Sequence, residues 1–186
     1  MLHANAAYPA TDIVLRSATP GDALSIRTLV RRERLNRFDL QVENFKVAEL
    51  DGVVVGAVQI RKHGDGAREL GSLVIAPGFR GKGLAAALIN AVLEDEPGPV
   101  FMITGRNFVA HYGRWRFAIV EARAAPPSIR FNFRMGRFGR VMSLLRRQPP
   151  RHLRILRRDP ASPGNNFPSG PAPGKRRGVH LIPRRP

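Results

Sequence analysis

Apolar positions along the chain switch repeatedly between a period of two and a period near 3.6, the signature of alternating strands and helices. Ile13-Val14-Leu15 predicts a first strand. Ala23, Ile26 and Val30 then recur at helical spacing behind Thr19-Pro20-Gly21-Asp22, which supplies an N-cap, a first-turn proline and a first-turn acid. The charged stretch Arg31 to Glu43 predicts a loop or short helix. Phe45 to Leu50 and Val53 to Arg61 are β-type runs joined by Asp51-Gly52, a pair suited to the positive φ angles of a tight hairpin turn. His63-Gly64-Asp65-Gly66 marks a second turn, and Leu70 to Ile75 the next strand, ended by Pro77-Gly78. Leu84 to Leu93 sets Ala85, Leu88, Ile89 and Val92 on one side of a helix that Pro97-Gly98-Pro99 stops. A strand (Val100 to Thr104), a short helix (Phe108 to Arg114) and another strand (Phe117 to Glu121) follow.

After Glu121 the pattern loosens. Pro126-Pro127 interrupts it, and residues 126–150 read as a basic insertion, partly helical over Arg134 to Arg147, where Met135, Phe138, Met142 and Leu145 recur at roughly helical intervals. Leu153 to Leu156 predicts a last strand. Residues 159–186 are dominated by Pro, Gly, Ser, Asn and Arg, too little apolar surface to offset ordering entropy, so they are expected to form a disordered basic tail. Residues 1–10 read as a flexible leader and 11–158 as one domain, with no internal repeat.

Composition narrows the chemistry. The 186 residues include no cysteine, which excludes disulfides, thiolate metal sites and a cysteine nucleophile. No apolar run approaches the ~18 residues of a membrane span, and Met1 to Ala10 lacks the charged start and apolar core of a secretory signal. A cytoplasmic location is the expectation. The net charge of +17 is unevenly spread: eighteen basic residues face thirteen acidic ones up to Met135, and thirteen face one, Asp159, beyond it. Such an end attracts polyanions (RNA, DNA or an acidic surface) and serves equally as a solvated basic tail.

One segment points to a ligand. A strand ending at Ile75, the loop Arg80-Gly81-Lys82-Gly83 and a helix from Leu84 bring backbone amides, a helix N-terminus and two full positive charges together, an arrangement that suits a pyrophosphate. No Lys-Ser or Lys-Thr follows as a P-loop would require, and the glycine spacing is not that of a dinucleotide fold. On pattern alone such a loop also serves as a structural turn. The run Ile75 to Ala85 resembles motif A of the GNAT acetyltransferase superfamily, with Arg80, Gly83 and Ala85 at its fixed positions. The order of elements is similar from about Ile13 to Glu121.

The resemblance implies an α/β fold with a mixed, V-splayed central sheet flanked by helices, and acetyl-CoA as co-substrate. It assigns the pantetheine arm to the strand Leu73-Val74-Ile75, and the pyrophosphate to the amides of Arg80, Gly81, Lys82, Gly83, Leu84 and Ala85. Asn107, Tyr112 and Arg116-Phe117 are similar to a second family feature, with Arg116 where a glycine is usual. By the same resemblance Asn107 is a coenzyme contact, Tyr112 the acid that protonates the departing thiolate, and Glu69 the base, as in the histone-acetylating branch. Many relatives use water instead of a carboxylate. Read without the resemblance, Tyr112 is a core aromatic and Glu69 a solvated acid at a strand end. His63 and His111 have no partner at metal-ligand spacing and read as surface residues, with His111 directed away from Tyr112; no metal is expected. Trp115 and the phenylalanines read as core.

The function implied is N-acetyl transfer to a primary amine by direct attack in a ternary complex. The acceptor is open among small amines, amino acids, protein amines and aminoacyl-tRNA, and a homodimer is common among relatives. The alternative is a basic nucleic-acid-binding protein on the same scaffold. Only Phe167 is aromatic beyond Gly139, which speaks for phosphate attraction rather than base stacking.

Overall fold

A computed structural model of the chain describes residues 13–33, 39–144, 152–160 and 181–183. In chain order they form β1 (Ile13–Ser17), α1 (Ala23–Arg32), β2 (Phe45–Leu50), β3 (Val53–Lys62), β4 (Arg68–Ile75), α2 (Leu84–Glu94), β5 (Val100–Gly105), α3 (Val109–Tyr112), β6 (Ala118–Val120), α4 (Pro127–Leu144), β7 (Leu153–Arg158) and β8 (Leu181–Pro183). The strand order is β6-β7-β5-β4-β3-β2-β1-β8. Parallel pairs (β4 with β5, β1 with β8) and antiparallel ones make the sheet mixed, as the α/β expectation required. The described residues divide into two compact units.

The first unit holds residues up to Val58, Ser72–Ala91 and the strand Leu181–Pro183. Thr19 and Asp22 form the expected capping box around a short 3-10 turn, which runs directly into α1. The Asp22 carboxylate accepts the Thr19 N–H at 2.7 Å and meets Arg16 at 2.7 Å, and Arg16 also reaches Glu49 at 2.6 Å, so β1, β2 and the start of α1 share one charge cluster. The guanidinium holds Asp22 well below the usual carboxylate range. Asp51 and Gly52 take φ angles of 48° and 78°, the mirror-image turn their sequence predicts. Ile26 and Val30 of α1 bury against Phe45, Val47, Val54, Ala57 and Val74, each such side chain contributing on the order of 1.5–3 kcal/mol. Residues 34–38, part of the stretch read as loop or short helix, lie outside the described ones.

The second unit holds Gln59–Gly71 and the described residues from Val92 to Pro160. Here β4 pairs with β5 over Arg68–Leu70, and β7 runs antiparallel to β5 over six residues. The largest departure from the sequence reading is α4. Pro127 does not interrupt the chain but starts the helix, at the position where a missing N–H costs nothing. Asp65, in the turn between β3 and β4, accepts the Ser128 N–H and hydroxyl, both at 2.9 Å, and so caps α4 from a distant part of the chain. Ile129 is fully buried with Ala67, Phe101, Ala125 and Ile155. The start of the segment read as an insertion is thus core, and its helix spans Pro127–Leu144 rather than starting at Arg134.

Within the stretch expected to be a disordered tail, Leu181–Pro183 pair in parallel with Ile13–Leu15. Residues 161–180 and 184–186, like residues 1–12, lie outside the described ones.

Candidate functional site

The glycine loop lies in the first unit. Leu84, Leu88 and Ile89 bury one face of α2 and fix its N-terminus at the end of the loop. Gly81 and Gly83 both take left-handed φ angles, 73° and 83°, and the positions a Cβ would occupy there face open space. That conformation favours glycine and leaves the amides of the turn accessible. Ala87 N–H donates to Gly83 O at 3.1 Å, the first bond of the helix, so the amides of Leu84, Ala85 and Ala86 are among those a helix start leaves without an intrahelical acceptor. Arg80 and Lys82 are exposed beside them. The Lys82 ammonium lies 5.2 Å from the centre of the Phe79 ring.

Arg80 is held from two sides. Its Nε donates to Ile75 O at 3.1 Å, and its guanidinium meets the Glu33 carboxylate, just past α1, at 2.5 Å. Glu33 carries no signal in the sequence, since it lies inside the charged run Arg31-Arg32-Glu33-Arg34 with no spacing that ties it to the loop. A carboxylate already seated on this guanidinium fits the view that the position takes an oxyanion.

Along β4, Val74 is buried while Leu73 and Ile75 are half-buried. Ser72 takes φ 52°, a left-handed angle in mid-strand, and the ladder to β5 ends two residues earlier at Leu70 although β4 continues to Ile75. A β-branched or bulky residue at that angle would be strained.

The other candidate residues lie in the second unit. Glu69, read as a solvated strand end or a catalytic base, is only 4% exposed. Its Oε1 accepts from Arg61 at 3.2 Å, and its Oε2 is 2.9 Å from both His63 Nε2 and Asn132 Nδ2. Two sequence expectations change with this. His63 is a partner of Glu69 rather than a surface residue, and α4 reaches the same carboxylate through Asn132, which no motif marks.

Tyr112 ends α3, half-buried among aromatic rings. Phe117 packs edge-on with centroids 6.3 Å apart, and Trp115 lies tilted at 6.1 Å. His111 also packs edge-on, at 5.3 Å, so it does not point away from Tyr112 as the sequence suggested. Burial raises the Tyr112 phenol above its ordinary pKa of 10.0. Its hydroxyl makes no hydrogen bond to the described residues, which leaves its proton available. Arg114 can only donate, so the contact at 3.0 Å makes His111 Nδ1 an acceptor and the ring neutral; burial and this charge both lower the pKa of His111.

Trp115 and Phe117 are core, as expected, whereas Phe108 and Phe131 are exposed. Arg116 sits at φ 64°, which explains why glycine suits that position. Asn107 lies exposed in the turn between β5 and α3. Among the described residues no cluster of three or more His, Asp or Glu could hold a metal ion, and no helix is long and apolar enough to cross a membrane.

Residues 17–97 match the family model described as Acetyltransferase (GNAT) family. No curated protein matches the chain. Its fold is similar to that of N-acetylglutamate synthase from Neisseria gonorrhoeae complexed with coenzyme A and N-acetyl-glutamate, with a TM-score of 0.63 at 18% identity over 81% of this chain and 35% of that one. Rv2747 from Mycobacterium tuberculosis, in complex with CoA and NLQ, gives 0.58 at 19% identity over 79% of this chain and 99% of its own. Arabidopsis thaliana Naa50, with the bisubstrate analogue CoA-Ac-MVNAL, gives 0.54 at 15% over 79% and 98%. The chain therefore spans about a third of the length of the synthase and nearly all of the other two.

Proposed function

Since residues 17–97 are a GNAT acetyltransferase domain, we propose that the chain transfers an acetyl group from acetyl-CoA to a primary amine. The observation that carries this reading is the loop before α2: two left-handed glycines with open space around them, a helix start, and an arginine already bound to an oxyanion. The amides of Arg80 to Ala85 would receive the pyrophosphate, the strand edge at Leu73 to Ile75 the pantetheine arm, and Asn107 a further part of the coenzyme.

In the reaction a neutral amine nitrogen attacks the thioester carbonyl, the new C–N bond forms and the C–S bond breaks. The nitrogen loses a proton and the departing thiolate gains one. Tyr112 is the proposed donor to the thiolate, a role supported by its protonated phenol and its hydroxyl, unbonded to the described residues. For the base, burial of Glu69 and engagement of both its oxygens favour water over direct proton transfer to the carboxylate. Glu69 then serves to hold His63, Arg61 and Asn132 in one buried network.

The three similar structures carry an acetylated amino acid, NLQ and a peptide-bearing analogue, so amino acids and peptides are the acceptor classes to try first. A cytoplasmic location, a homodimer and attraction of polyanions by the basic C-terminal end belong to the same proposal. The nucleic-acid-binding alternative gains no support from the fold. A thiol-release assay across amino acids, peptides, small amines and aminoacyl-tRNA, with acetyl-CoA supplied, tests the proposal. Release dependent on one acceptor class, with the acetylated amine found by mass, supports it; no acetylated product from any of them, despite bound coenzyme, counts against it.

A further inference from the structure

We propose that the outward side of α4, with the groove between this helix and the turn that follows β6, docks an acidic amphipathic helix of another protein. The groove encloses about 400 Å³ and is lined by Ala122, Arg123, Arg130, Phe133 and Arg134, all within the second unit. Its lining is almost wholly apolar, so the three arginines give it their hydrocarbon stems and hold their guanidinium groups at the rim. Two contacts place those groups there: Arg123, 86% exposed, pairs with Glu121, and Arg130 Nη1 donates to Arg123 O at 3.4 Å. Beside the groove, Phe131 and Met135 stand four residues apart on α4, 63% and 52% exposed. An apolar centre ringed by charge is how protein-binding surfaces are built.

Charge decides what covers it. The sequence of α4 holds Arg130, Arg134, Arg137 and Arg140 and no acidic residue. The acids that do reach the helix are engaged elsewhere on it: Asp65 caps its start through Ser128, and Glu69 holds Asn132. A second copy of the chain would set one arginine-bearing helix against another, which like-charge repulsion disfavours. The chain's own ends do not answer these charges either. Residues 160–186 contain Lys175, Arg176, Arg177, Arg184 and Arg185 and no acid, and residues 1–12 contain one acid, Asp12. The complement is therefore an acidic surface carried by a different molecule.

Shape decides which acidic surface. Phe131 and Met135 lie one helical turn apart, the spacing at which a partner helix presents its own apolar residues. In the sequence the stripe continues at Phe138 and Met142, an alternation of four and three that makes a narrow seam of the coiled-coil kind. A bilayer surface favours a wide apolar face and cannot fill a concave groove, whereas one projecting side chain can. A nucleic acid would use the arginines and leave the groove, Phe131 and Met135 bare. An acidic helix with apolar residues every three and four positions uses all of them. The surface is independent of acetyl transfer and stands or falls apart from it.

The test uses the full-length chain at physiological salt and follows binding by fluorescence polarisation. The probe is a labelled synthetic helix of glutamates with leucines at alternating spacings of three and four. A scramble of the same composition, a single-stranded oligonucleotide and vesicles containing phosphatidylserine are the comparisons. Saturable one-to-one binding of the patterned peptide is expected, with the scramble weaker by about tenfold or more. Phe131→Ser with Met135→Ser leaves the charge unchanged; it should weaken the patterned peptide by about tenfold or more and leave acetyl-CoA binding as in the wild type. Should the double variant fold poorly, Phe131→Ser alone, at an exposed position, is expected to give a several-fold loss. Arg134→Gln, also exposed, should cost several-fold and reduce the salt dependence. A scramble that binds as tightly as the patterned peptide would overturn the proposal, since plain charge attraction would then suffice. So would apolar variants that bind as the wild type, vesicles or oligonucleotide that bind more tightly than the peptide and depend on Phe131, or self-association of the chain that Phe131→Ser abolishes.

Discussion

Glu33 and Arg80 meet at 2.5 Å, so the carboxylate just past α1 occupies the arginine that opens the loop before α2. Both side chains are partly exposed, and the pair is worth at most about 1 kcal/mol. If a pyrophosphate needs that guanidinium, Glu33 competes with it. Glu33→Gln should therefore tighten acetyl-CoA binding by roughly two- to fivefold in a calorimetric titration. A weaker affinity would mean that Glu33 positions Arg80 for the ligand rather than withholding it.

Tyr112→Phe removes the proposed proton donor while keeping the ring contacts to Phe117 and Trp115. Turnover should fall by about 10² with coenzyme affinity little changed, the scale expected for loss of a general acid. The pH dependence follows from the direction of the shift. Burial raises the phenol's pKa above 10.0, so the folded protein keeps the proton at pH values where the unfolded chain releases it. The stability linked to the neutral phenol is complete below pH 10.0 and is lost as the pH rises through the higher folded value. A pH–rate profile should show the loss of turnover from this group at higher pH than the titration of a free tyrosine.

The network around Glu69 makes its own prediction. A Cβ at Gly71 would collide with the Arg61 guanidinium, which is 8% exposed and bonded to Glu69. Gly71→Ala should shift the far end of the Arg61 side chain, and because Glu69 keeps His63 and Asn132 the cost should stay on the order of 1 kcal/mol. Denaturant unfolding measures it, and a loss above about 3 kcal/mol would mean that the guanidinium has no room to move.

Arg116 holds a left-handed angle where glycine carries no penalty. Arg116→Gly should raise stability by up to about 1 kcal/mol, read as a higher denaturation midpoint. It also removes a positive charge that lowers the pKa of buried Arg158.

Much of this was legible in the sequence because it is local. The Asp51-Gly52 hairpin, the Thr19–Asp22 box and the apolar face of α2 depend on residues close in the chain, and periodicity and turn chemistry report them. The glycine loop is equally local, with its left-handed angles at the glycines themselves. What escaped is what tertiary contacts decide. Pro127 reads as a breaker from its neighbours alone, yet Asp65, sixty-three residues before Ser128, supplies the cap that lets a helix start there. Glu69 looks like a strand-end acid until Arg61, His63 and Asn132 close around it, and Asn132 comes from a helix that the pattern began two residues later. No spacing rule connects Glu33 with Arg80 either.

The central claim is that the loop from Arg80 to Ala85 binds the coenzyme, and a titration of acetyl-CoA into Gly83→Asp tests it most directly. Gly83 has φ 83° with open space where a Cβ would go, so the substitution strains the turn and places a carboxylate where a pyrophosphate needs the bare backbone. α2 keeps its buried face of Leu84, Leu88 and Ile89, and circular dichroism should show the fold retained. The account predicts that affinity falls by well over tenfold, the scale of a lost charge-assisted contact and an added repulsion. A folded Gly83→Asp variant that binds acetyl-CoA as tightly as the wild type would contradict it.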